Sequence, residues 1–148
     1  MDIIKTDTFL QEAIKQQLIE GDSVTLSVTG RSMRPYLSDK GDESIIVSGF
    51  RPEDLKKGAI ILFPHNNRYI FHRIIGKMNE ILITQGDGNC AIEKVRSEDA
   101  LGIVRFVIRK GERKVSTNGF IAQVYWRIWY ILRPIRKYLL YIYNNINK

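Results

Sequence analysis

The sequence predicts a mainly β protein, a small antiparallel and partly closed sheet with a short helix before it and an amphipathic helical tail after it. Three observations carry that expectation. Short apolar runs recur between Ser23 and Arg109, separated by Gly, Asn and Asp turn signals, the pattern of an antiparallel sheet with tight connections. Ahead of them, apolar residues fall four apart. Behind them, the spacing becomes three and four over a much longer stretch.

Taken in order, Leu10, Ile14 and Leu18 with Phe9 and Ala13 define a helix over 8–20, which Gly21 stops. Val24, Leu26 and Val28 alternate with Thr25, Ser27 and Thr29 as in a half-buried strand. Further strands are expected at 45–47, 59–63, 69–71, 81–84 and 101–108. Their turns include Lys40-Gly41-Asp42, Lys57-Gly58, His65-Asn66-Asn67 and Gly86-Asp87-Gly88-Asn89. Over 119–147, Ile121, Tyr125, Ile128, Leu132, Ile135, Leu139, Ile142 and Ile146 mark one helical stripe, and Pro134 is expected to split that helix near Arg133. The chain thus divides into a body, 1–113, and a tail, 114–148.

A chain of 148 residues suits one domain, and 44% hydrophobic with 26% charged residues is a globular composition. Cys90 is the only cysteine, which excludes an internal disulfide and a zinc cluster of cysteines. With only His65 and His72 as histidines, no metal or cofactor is expected. Asp2, Lys5 and Asp7 interrupt the N-terminus where a secretory signal would be apolar. No run approaches the ~18 uncharged apolar residues of a spanning helix. The expected location is cytoplasmic, either free or peripheral on the inner membrane face. The charge is lopsided: of the net +7, Lys114, Arg127, Arg133, Arg136, Lys137 and Lys148 supply six, and no acid follows Glu112.

Two side chains stand out chemically. Ser32 lies between Gly30 and Pro35, at the end of an alternating strand, where a tight exposed turn would present its hydroxyl and backbone N–H to one carbonyl. Alone, Gly and Ser before Pro also make an ordinary turn. His72 lies among Phe71, Arg73 and Ile74 in a strand, where a histidine is more often a satisfied core or surface residue than a catalyst. His65 reads as an inert loop residue.

Four segments in order change the balance. Gly30-x-Ser32-Met33-x-Pro35, then Leu55-x-x-Gly58-x-Ile60-x-x-Phe63, then His72-Arg73-Ile74, then Gly86-Asp87-x-Asn89 resemble the core of the type I signal peptidases. The likeness is to the endoplasmic-reticulum and archaeal branch, which uses histidine as base, and it covers about residues 23–110. Leu101-Gly102-Ile103-Val104 is similar to the strand that closes that core. The resemblance implies a serine endopeptidase acting on a peptide or precursor-protein substrate. Ser32 would be the nucleophile, His72 the general base, and Asp87 or Glu93 the acid that orients His72. Gly30, Arg31, Met33 and Pro35 would line the substrate site. Self-cleaving SOS-type repressors share such a core, but this chain has no Ala-Gly bond to cut. The competing class is a non-catalytic peptide-binding module on the same fold.

The tail reads as an interfacial helix on anionic lipid, with Trp126, Arg127, Trp129, Arg133, Arg136 and Lys137 as its membrane contacts. Packing of the stripe on the body is the alternative. Nucleic acid finds no support in the body.

Overall fold

Alternation and turn chemistry build the sheet, and the computed structural model describes residues 3–4 and 8–147 of it. The first strand, β1, is Ile3–Ile4, and the first helix, α1, is Thr8–Ile19. The strands β2 (Val24–Ser27), β3 (Ser44–Ser48), β4 (Ile60–His65), β5 (Arg68–Met78), β6 (Ile81–Gln85), β7 (Glu93–Arg96), β8 (Gly102–Arg109) and β9 (Arg113–Ser116) follow. Two helices end the chain, α2 (Phe120–Ile131) and α3 (Arg136–Ile146).

All nine strands join one antiparallel sheet in the order β2-β3-β8-β4-β5-β6-β7, with β1 on β5 and β9 on β8. The expected partial closure is not found: among the described residues no ladder joins β7 to β2, so the sheet is open. Strand β7, Glu93-Lys94-Val95-Arg96, is short and charged, which blunts an edge against further pairing. The β4–β5 hairpin turns on Asn66 and Asn67 at φ 52° and 62°, the left-handed pair that a two-residue turn matched to strand twist requires.

Because side chains alternate across a strand, the long β5 separates two apolar clusters. Tyr69 and Phe71 face the first, where Ile14 and Leu18 of α1 pack with Met33, Tyr36 and Leu37 of the loop after β2. Ile70 and Ile74 face the second, with Ile61, Phe63, Leu82 and Val95. His72 and Arg73 are neighbours in sequence and therefore point to opposite faces.

The tail is not a separate body. Strand β9 extends the sheet, and α2 buries Ala122 and Trp126. Gly58 makes this approach possible: at φ +99°, a Cβ there would come within 2.4 Å of the Trp126 ring. Tyr125 stacks on Tyr36 with centroids 5.1 Å apart. After a 3-10 turn at Arg133–Ile135, which contains the expected break at Pro134, α3 buries Arg136 and Leu140. This corrects part of the membrane assignment. Trp126 and Arg136 are 9% and 3% exposed, and Trp129 is half-buried, because all three turn toward the body and not toward solvent. The Trp129 indole N–H donates to the carbonyl of Asp87 at 2.8 Å, and the Arg136 guanidinium donates to Gln85 Oε1. Arg127 and Lys137 stay exposed, and Arg133 is half-buried, donating to Gln85 Oε1 at 3.1 Å. No helix among the described residues is long and apolar enough to cross a membrane.

Candidate active site

The loop between β2 and β3 carries Ser32, and strand β5 carries His72, forty residues apart in the chain. They meet: Ser32 Oγ lies 2.9 Å from His72 Nε2. On the far side of the ring, His72 Nδ1 lies 2.6 Å from Glu93 Oε1. An ionised carboxylate only accepts, so Nδ1 carries the proton and Nε2 is left to accept from the Ser32 hydroxyl. The Thr84 hydroxyl donates to the same Glu93 oxygen at 2.9 Å, and the edge of Phe63 packs against the imidazole at a centroid distance of 6.1 Å.

Register explains why Glu93 fills this role. Ile74 pairs with Thr84 across β5 and β6, and Thr84 pairs with Glu93 across β6 and β7, so all three share a face with His72. The extra methylene of glutamate spans what remains. Thr84, completely buried, was not anticipated from the sequence; its only signal is its place two residues ahead of Gly86.

Asp87 belongs to the opposite face. It accepts a bidentate pair from Arg73, Nε to Oδ1 at 2.9 Å and Nη2 to Oδ2 at 2.8 Å, and a third bond from the Tyr125 hydroxyl at 3.2 Å. Arg73 also donates to the Gly58 carbonyl at 2.9 Å, and its guanidinium lies 5.0 Å from the centre of the Tyr36 ring. The choice between the two acids therefore resolves in geometry: Glu93 touches His72, and Asp87 anchors the turn. That turn clasps the loop that carries Ser32, with the Gly88 N–H donating to the Ser32 carbonyl at 2.7 Å. A Cβ on Gly86 would stand 2.3 Å from that carbonyl and 3.0 Å from His72 Nε2, and one on Gly88 would stand 2.5 Å from the Arg31 carbonyl. The two glycines let backbone lie against backbone.

The other expected site residues are dispersed. Ser32 is 2% exposed, so its hydroxyl lies beneath the surface and not at the tip of an exposed turn. Met33 is 1% exposed, packs in the apolar core, and its Sδ accepts from the Asp87 N–H at 3.5 Å. Gly30, at φ +87°, sets the loop's direction, and Pro35 is half-buried beside Tyr36. Arg31 is exposed and pairs with Asp39 at 3.1 Å, while the buried Arg34 meets the same carboxylate at 3.5 Å. Asp39 thus offsets part of the charge beside Ser32.

Burial pushes the Tyr36 phenol above the ordinary tyrosine value, and it does the same to Tyr125, where the Asp87 carboxylate adds to the shift. Below about pH 10 these phenols are neutral whether folded or unfolded, so their contribution is fully present. Above it only the unfolded chain ionises, and stability falls by about 1.4 kcal/mol per pH unit for each such phenol. Urea midpoints should therefore hold steady up to about pH 10 and then drop. Tyr125→Phe should flatten the drop; an unchanged slope would remove Tyr125 from the account.

Comparison of the chain with family models, with curated proteins and with solved structures finds no match.

Proposed function

We propose that the protein is a serine endopeptidase whose catalytic triad is Ser32, His72 and Glu93. The observation that carries this reading is the unbroken chain Ser32 Oγ–His72 Nε2 at 2.9 Å and His72 Nδ1–Glu93 Oε1 at 2.6 Å. A nucleophile, a base within hydrogen-bond reach and a carboxylate behind the base are what acyl transfer from a peptide needs.

In this mechanism Ser32 Oγ attacks the scissile carbonyl as His72 Nε2 takes the hydroxyl proton. Glu93 holds the imidazolium that forms. Collapse of the tetrahedral intermediate breaks the C–N bond, and His72 returns the proton to the departing amine. Water then attacks the Ser32 ester, again deprotonated by His72, and hydrolysis restores the serine hydroxyl and releases the acid. Buried Thr84 keeps Glu93 from turning away.

The 2% exposure of Ser32 favours a second reading, a peptide-binding module in which the same hydrogen bonds only brace the loop. A fluorophosphonate probe separates the two, because only an activated serine attacks phosphorus at a useful rate. Full-length protein should gain one adduct on Ser32 by mass spectrometry, and Ser32→Ala and His72→Ala should gain none. A folded wild-type protein that stays unlabelled leaves the binding module as the better account.

A further inference from the structure

The helical tail presents an apolar face that the body does not cover. Along α2, Phe120 and Ile121 are 83% and 82% exposed, Ile131 is 73% and Ile128 is 53%. With 3.6 residues per turn, these positions lie on one side of the helix, opposite Ala122, Trp126 and Trp129. Large aliphatic and aromatic groups exposed together mark a docking surface. On α3, Tyr138 and Tyr141 are 61% and 71% exposed, side chains whose rings suit a boundary between apolar and wet surroundings.

We infer that this face of α2 and α3 seats the protein on an anionic lipid surface. Charge selects the occupant. No acidic residue lies beyond Glu112, and the exposed Arg127 and Lys137 belong to the same two helices. A second copy docked face to face would bring two such cationic tails together with no carboxylate between them, whereas anionic headgroups complement them. The 12 residues of α2 reach only about 18 Å, short of the ~30 Å hydrocarbon core, so the helix lies in the plane of the surface. This face keeps Ile121, Ile128, Arg127 and Lys137 of the surface chosen from the sequence but not Trp126, Trp129 and Arg136, which turn inward. The inner side of α2 holds the Asp87 turn through Trp129, and that turn holds Ser32 through Gly88. The lipid surface would then lie roughly one helix diameter, about 10 Å, from the turn beside the nucleophile.

The test is co-sedimentation of the full-length protein with vesicles of phosphatidylcholine plus phosphatidylserine, and of phosphatidylcholine alone. Strong binding is expected only to the anionic vesicles, weakened but not abolished by high salt. Ile121→Gln/Ile128→Gln/Ile131→Gln changes exposed positions only, so its thermal unfolding should match wild type while vesicle affinity falls at least about tenfold. Arg127→Glu should lower binding to anionic vesicles alone. Equal binding to both vesicle types, an unchanged affinity in the triple variant, or failure to bind any vesicle overturns the inference. A concentration-dependent dimer in sedimentation velocity, lost in the triple variant with no vesicle binding, would assign the face to a second copy instead. None of these readouts depends on peptidase activity.

Discussion

His72→Ala is expected to lower kcat/KM for a cleavable peptide on the order of a million-fold, and Glu93→Gln on the order of ten-thousand-fold. The first removes the ring nitrogen, 2.9 Å from Ser32 Oγ, that accepts its proton during attack by the proposed route. The second keeps the shape at Nδ1 but replaces an anion 2.6 Å from the ring with a neutral amide. The amide no longer stabilises the imidazolium and can also impose the wrong tautomer. Steady-state kinetics and the melting profile of each variant make the test. Loss of activity with the fold intact supports the assignment. Near-normal turnover in Glu93→Gln would take the carboxylate out of the mechanism, and near-normal turnover in His72→Ala would end it.

Asp87→Ala is expected to cost about 3–5 kcal/mol of stability, a large part of the ~5–15 kcal/mol that holds a domain folded. It strands the Arg73 guanidinium, 5% exposed, under the Tyr36 and Tyr125 rings with its counter-charge gone. It also removes the acceptor of the Tyr125 hydroxyl. Glu93→Gln, which leaves no buried cation unpaired, should shift stability by much less. Urea unfolding compares the two directly. Asp87→Ala/Arg73→Met should recover part of the loss, since removing both charges is far cheaper than removing one. Wild-type stability in Asp87→Ala would show that the ion pair does not lock the turn.

These two variants separate roles that the sequence left open. Asp87 and Glu93 are six positions apart, and as residue types either suits a histidine partner. What assigns them is the two-residue period of β5, which sends His72 to one face and Arg73 to the other, together with the register of β6 and β7. Register depends on pairing between strands, so one strand's composition does not reveal it. Strands β7 and β9 show why part of the fold was also hidden. Glu93-Lys94-Val95-Arg96 buries only Val95, and Arg113-Lys114-Val115-Ser116 buries none of its residues, so neither makes an apolar run. They become strands because β6 and β8 supply their hydrogen-bond partners.

The tail divides in the same way. Its periodicity and the break at Pro134 were legible, but apolar residues surround α2 on every side, and spacing does not say which side is buried. The body decides, through Tyr36, the bare backbone of Gly58, the Asp87 carbonyl and Gln85, which receive Tyr125, Trp126, Trp129 and Arg136. Period, turn chemistry and motif order are local, so the strand class, the short leading helix, the split tail, the lopsided charge and the pair Ser32 and His72 could be read directly from the residues. The open sheet, the contact of Glu93 and not Asp87 with His72, and the side of α2 that faces solvent emerge only from packing. Each of those depends on contacts between separate elements of the chain, where side-chain direction and strand register, not residue type, select the partner.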